Sequence, residues 1–199
     1  MISGRTPEDY NRARAGRVTS FIVHCSGTPN GQAVSAAEID AWHRERGFVA
    51  RAMDFRRKQN PDLSHIGYHF LIYPSGACAT GRHLDEMGQH CQGHNLHSIG
   101  ICLIGTDQFT RAQWIMLRAN AWAMQRRYLT MNLFGHRDTS PDLDGDGTVQ
   151  PSEWIKTCPG FSVADWISGR MEPLAGHVLE LPDFPSPSPA SGEGIKAIA

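Results

Sequence analysis

Apolar residues recur along this chain in two periods, and the switches between them mark out its elements. Thr19, Phe21, Ile22 and Val23 form a β-branched and aromatic run ending at His24, just before the turn cluster Ser26-Gly27-Thr28-Pro29-Asn30-Gly31. That is the pattern of a buried strand. Ser35 with Glu38 three residues on forms a capping box, and Ile39, Trp42 and Arg46 follow at helical spacing, so a helix is predicted over 35–47. Ile66 to Tyr73 reads as a second strand, turning at Pro74-Ser75-Gly76 into a partner strand. Ser98 to Ile104 is almost continuously apolar, as in a central strand covered on both faces. Thr110 and Gln113 open a long helix carried by Trp114, Leu117, Ala121, Met124 and Tyr128. A short strand over 132–134 and a helix capped by Ser162 complete the series. Alternating strands and helices predict a single α/β domain, a central mixed sheet with helices on both faces.

Composition narrows this picture. With 40% hydrophobic and 20% charged residues among 199, the chain can bury a real core. The expected divisions are an extension over 1–18, the domain over 19–170 and a disordered tail over 171–199, where Pro-Ser-Pro-Ser-Pro cannot offset its ordering entropy. Nineteen basic against twenty acidic side chains leave a net charge of -1, so no general field favours nucleic acid or an anionic membrane. No apolar run is long enough to span a membrane, and 1–20 lacks the apolar stretch of a signal peptide, which predicts a chain that starts in the cytoplasm. Segment 49–64, with Arg51, Arg56, Arg57 and Lys58, reads as a mobile, solvated basic excursion.

Five cysteines without a CxxC pair argue against a disulfide framework, while ten histidines exceed what the length requires. Imidazole and thiolate together are zinc donors, and a catalytic zinc keeps three protein ligands and one open position. The candidates are His24 at a strand end, His136 just after another, and Cys158 in Lys156-Thr157-Cys158-Pro159-Gly160. Their separations form no local ligand signature.

Phe21-Ile22-Val23-His24-Cys25-Ser26, Glu38-Ile39-Asp40-Ala41-Trp42-His43, Ile66-Gly67-Tyr68-His69-Phe70, Ser98-Ile99-Gly100-Ile101-Cys102-Leu103 and the Lys156 to Gly160 segment occur in a telling order. Over about 19–167 the chain resembles zinc-dependent N-acetylmuramoyl-L-alanine amidases of phage endolysins, a family related to peptidoglycan-recognition proteins. The resemblance implies a zinc held by His24, His136 and Cys158, with Tyr68 and Lys156 reaching the attacking water and the scissile carbonyl. It implies hydrolysis of the amide between N-acetylmuramic acid and L-alanine by a zinc-activated water, in an enzyme acting as a monomer and held in the cytoplasm until released to the cell wall. His90 and His97 would flank the cleft, as substrate contacts or as solvated loop residues. A non-catalytic peptidoglycan-recognition protein is the alternative.

Two segments depart from the short phage amidases: the basic stretch 49–64, which lengthens the chain before Gly67-Tyr68, and an acidic loop. Asp142, Asp144 and Asp146 occupy positions 1, 3 and 5 of an EF-hand calcium loop, Gly147 position 6, Thr148 position 7 and Glu153 position 12. The expectation is one structural calcium that stiffens the connection from His136 to Cys158; an acidic surface turn is the plainer alternative.

Overall fold

The computed structural model describes residues 17–180. Strands β1 (Ser20–Cys25), β2 (Phe70–Ile72), β3 (Cys78–Thr80), β4 (Ser98–Leu103) and β5 (Asn132–Gly135) form one sheet in the order β3-β2-β4-β1-β5. β2, β4, β1 and β5 run parallel, and β3 pairs antiparallel with β2 at the edge. The helices are α1 (Ala36–Glu45), α2 (Met53–Lys58), α3 (Arg111–Arg127) and α4 (Val163–Ser168). This is the α/β architecture with a mixed sheet that the sequence predicts.

Side-chain alternation divides β1 between two layers. Phe21 and Val23 join Ile99, Ile101 and Leu103 of β4 in a core with Trp114, Leu117, Phe161 and Trp166. A smaller cluster of Val34, Ile39, Ile66, Leu71 and Ile104, with Trp42 and Tyr68 packed against it, includes residues of α1. Each fully buried side chain of this size contributes roughly 1.5–3 kcal/mol, so the larger cluster, which holds most of them, anchors the sheet. Both predicted capping boxes form: Ser35 Oγ accepts from the Glu38 amide at 3.2 Å, and Thr110 Oγ1 from the Gln113 amide at 3.1 Å.

Three expectations are corrected. The strand predicted from Ile66 begins only at Phe70, because α1 takes the amides before it: His65 and Ile66 N–H donate to Asp40 Oδ1 at 2.5 and 2.6 Å, and Gly67 N–H to His43 Nδ1 at 2.9 Å. Segment 49–64 is solvated only in part, with Arg57 and Lys58 exposed as expected. It contains α2, and Arg51 is buried, donating to Glu86 and to the carbonyls of Gln59, Asn60 and Leu63. Finally, the fold continues past residue 170. Met171 is buried, Phe109 N–H donates to the His177 carbonyl at 2.9 Å, and Phe109 bridges Val178. The Pro-Ser repeat and most of the expected N-terminal extension lie outside the described residues, but Val18 belongs to the core.

Candidate metal centre

Parallel pairing of β1 with β5 places Val23 opposite Gly135, so His24 and His136, the next residues, emerge side by side at the carboxyl ends of neighbouring strands. Their ring centroids are 4.6 Å apart. Cys158 is fastened to the same place by two hydrogen bonds. The Cys25 amide donates to its Sγ at 3.1 Å, and the Arg137 amide to its carbonyl at 2.8 Å. One ligand atom from each of His24, His136 and Cys158 lies within 4.8 Å of the others. Three residues far apart in sequence therefore converge as the resemblance requires.

The protonation states fit a metal. Burial holds His24 well below the usual imidazole range, helped by His90 and His136, and burial with the Lys156 charge brings His136 to about 4. Both rings are neutral at pH 7 and carry a free lone pair. The Cys158 thiol is pushed up by its hydrogen bond with Cys25 and by burial, so it stays protonated until a cation displaces the proton. The Cys25 amide then meets the thiolate as a ready donor. Two imidazoles and a thiolate are a borderline-soft set suited to zinc. His136 and Cys158 remain partly exposed whereas His24 is buried, so the cluster opens to solvent on one side.

Tyr68 packs against this centre, its ring 5.2 Å from that of His24 and 5.2 Å from that of His43. Burial pushes its hydroxyl well above the ordinary phenol range, so it acts as a donor at neutral pH. Lys156 is exposed beside His136, close enough for its charge to depress that imidazole. His90 is buried, and its Nδ1 shares a 3.0 Å hydrogen bond with His24 Nε2. His97 is not brought to the centre. It precedes Ser98, which pairs with Ser20 at the opposite end of β1, about 13 Å along the strand from His24. Its Nδ1 instead meets the Arg17 carbonyl at 3.1 Å.

In the acidic loop, carboxylate oxygens of Asp142, Asp144 and Asp146 lie within 4.8 Å of one another on the exposed surface. They lean on the loop's own amides. Asp142 accepts from Gly145 at 2.7 Å and Gly147 at 2.8 Å, and Asp146 Oδ1 from Thr148 at 2.8 Å. Those amides hold the Asp142 carboxyl below its ordinary range. Gly145 and Gly147 take positive φ, 75° and 87°, which makes the turns between the aspartates. Glu153 stands apart from the three: it is buried, accepting from Leu143 at 2.6 Å and from Gln150 at 2.7 Å.

Sequence reasoning missed several residues around the centre. His69 follows Tyr68, which in a strand would send it to the opposite face, yet both rings flank His90, with centroids 5.8 and 6.3 Å away, because the regular strand has not begun. His69 Nδ1 accepts from the Gly100 amide at 3.0 Å and its Nε2 meets the Glu86 carbonyl at 2.9 Å. Gly100, inside an otherwise apolar strand, was the available signal, since an interior strand glycine marks a close approach.

Residues 14–161 match the model of the family described as N-acetylmuramoyl-L-alanine amidase. The chain is 30% identical over 156 residues to the endolysin of Klebsiella phage KP32, a match covering 74% of this chain and 84% of the phage protein. Its fold is similar to that of the N-acetylmuramoyl-L-alanine amidase LysC from Clostridium intestinale, with a TM-score of 0.59, 23% identity and coverage of 81% of this chain and 87% of that one. It is also similar to Drosophila PGRP-LB, with a TM-score of 0.55, 21% identity, and 83% and 87% covered. A parallel-strand pair that delivers two histidines to one cysteine, in a chain matched over these residues, belongs to the N-acetylmuramoyl-L-alanine amidase family.

Proposed function

We propose that this protein is a zinc-dependent endolysin that hydrolyses peptidoglycan at the amide between N-acetylmuramic acid and L-alanine, held in the cytoplasm until released to the wall. The observation that carries this reading is the convergence of His24, His136 and Cys158 ligand atoms within 4.8 Å, in a member of the amidase family. When bound there, zinc supplies Lewis acidity, which polarises an amide carbonyl and makes water a nucleophile at neutral pH. The remaining work falls to the chain. Tyr68, kept protonated by burial, donates a hydrogen bond to the oxygen on which negative charge develops. Lys156 places a cation on the open rim beside His136, where it favours the same charge.

Retention of all three donors favours hydrolysis over recognition without cleavage. The decisive measurement pairs zinc analysis of the purified protein with release of new amino termini from purified cell walls, for the natural chain and Cys158→Ser. Bound zinc and wall cleavage, both lost in the variant, are expected; wall binding without cleavage by the natural chain overturns the enzyme in favour of a recognition protein.

The reading includes a calcium ion at Asp142, Asp144 and Asp146 with the Thr148 carbonyl; Glu153, the remaining ligand of the loop pattern, would have to turn from the Leu143 and Gln150 amides to complete its shell. Three carboxylates held close by backbone turns repel one another, and a hard cation relieves that repulsion. Its role is structural, ordering the exposed loop between two zinc ligands. The domain of this enzyme comprises 19–170 together with the packed segment that follows.

A further inference from the structure

His24 enters the centre with one ring nitrogen already engaged, and the direction of that engagement can be worked out from its far end. His90 Nδ1 lies 3.0 Å from His24 Nε2, and His90 Nε2 lies 3.4 Å from Ser98 Oγ. Ser98 Oγ in turn donates to the His94 carbonyl at 2.8 Å. A carbonyl only accepts, so the single Ser98 proton goes there and the hydroxyl oxygen accepts from His90 Nε2–H. A neutral imidazole carries one N–H, so His90 Nδ1 must accept, and His24 must supply Nε2–H. That leaves the Nδ1 lone pair of His24 as the one available to a metal shared with His136 and Cys158.

The seat of His90 is built to hold this geometry. A Cβ at Gly88 would fall 2.4 Å from His90 Cδ2, and one at Gly100 would fall 2.5 Å from the same atom, so the ring occupies a slot that two glycines keep open. The amides of His90 and Cys91 both donate to Asn95 Oδ1, at 2.8 and 2.9 Å, which fixes the backbone beneath it. With the residue 9% exposed and both ring nitrogens hydrogen-bonded, His90 is placed for an internal role and not for contact with substrate.

We propose that His90 is a positioning residue, which through the chain to Ser98 and the His94 carbonyl locks His24 in its Nε2–H tautomer and commits Nδ1 to the metal. The proposal rests on the zinc reading above. Partners of this kind orient a ligand ring and raise its basicity, and their loss typically costs about 10- to 100-fold in metal affinity.

The test compares the natural chain with His90→Asn, whose Oδ1 can stand where Nδ1 accepts, and His90→Phe, which keeps the ring without an acceptor. Side-chain nitrogen-15 spectra of the metal-free proteins report the His24 tautomer, and competition with a chromophoric chelator reports zinc affinity. The natural chain is expected to show His24 as Nε2–H. His90→Phe is expected to mix the tautomers and bind zinc about 10- to 100-fold more weakly, with most of the affinity restored in His90→Asn. A role in packing alone would lower the melting temperature without moving the tautomer. Finding Nδ1–H in the natural metal-free chain overturns the proposal even if His90→Phe does not fold, as does a folded His90→Phe with unchanged tautomer and affinity. A natural chain that binds no zinc at all overturns instead the reading beneath it.

Discussion

Arg51 and Glu86 form a buried, bidentate ion pair: Arg51 Nε donates to both carboxylate oxygens at 3.1 and 3.0 Å, and Nη2 to Oε2 at 2.9 Å. Arg82 Nη1 stands 3.4 Å from the other oxygen, and the Glu86 carbonyl meets His69, which holds the β4 amide beneath His90. The pair thus ties segment 49–64 to the floor of the metal centre.

Truncating Arg51 strips Glu86 of its bidentate partner in the interior and leaves its charge only the longer Arg82 contact. Arg51→Met is expected to destabilise the protein by about 3–5 kcal/mol, read from the urea midpoint. A cost below about 1 kcal/mol, the worth of an exposed pair, would show that the guanidinium contributes little.

The histidines set a pH dependence of a definite sign. His43 and His136 are held at about 4 against 6.5 for a free imidazole, mainly by burial, and His24 is lowered by the same cause. Below pH 6.5 the unfolded chain binds protons that the folded chain refuses, so stability falls as the pH drops from 6.5 toward 4 and the loss ends once the folded sites also titrate. The melting temperature of the metal-free protein is expected to be flat from pH 8 to about 7 and to decline through that window. A profile flat down to pH 4 would contradict neutral, buried imidazoles.

Tyr68→Phe and Lys156→Ala are expected to bind zinc as the natural chain does, yet to turn over a soluble muramyl-peptide about a hundredfold more slowly each, the usual cost of one oxyanion donor. Unchanged kcat in either variant would remove that residue from the chemistry.

The calcium proposed for the acidic loop is tested by removing divalent ions. After treatment with EDTA, protein restored with zinc alone is expected to be cut by thermolysin within 142–153, which contains Leu143 and Val149, and to melt lower than protein given both ions. Identical melting and identical cutting would leave the acidic loop a surface turn.

How much of this the sequence disclosed depends on the range of the interactions concerned. The Ser35 and Thr110 caps are local, and both helices start where those residues place them. The β4 run is legible because burial on both faces leaves a continuous apolar word. His24, His136 and Cys158 were named by motif order, but their meeting depends on strand pairing, which no local pattern encodes. Arg51 is illegible locally because a basic residue in a polar stretch is normally solvated, and its partner lies 35 residues on. Locally His90 reads as a cleft contact or a solvated loop residue; only the fold places it behind His24, between Gly88 and Gly100.

The pairing of Val23 with Gly135 has a consequence for quality control of the folded chain. Slippage of β5 by one residue would carry His136 about 3.3 Å along the sheet, many times the ~0.2 Å tolerance of a metal–ligand distance. A compact chain with correct helices but a shifted edge strand would keep its spectrum of secondary structure and lose the zinc proposed for it. On the proposed zinc reading, metal occupancy is therefore a gauge of native strand alignment, more discriminating in a preparation of this protein than circular dichroism.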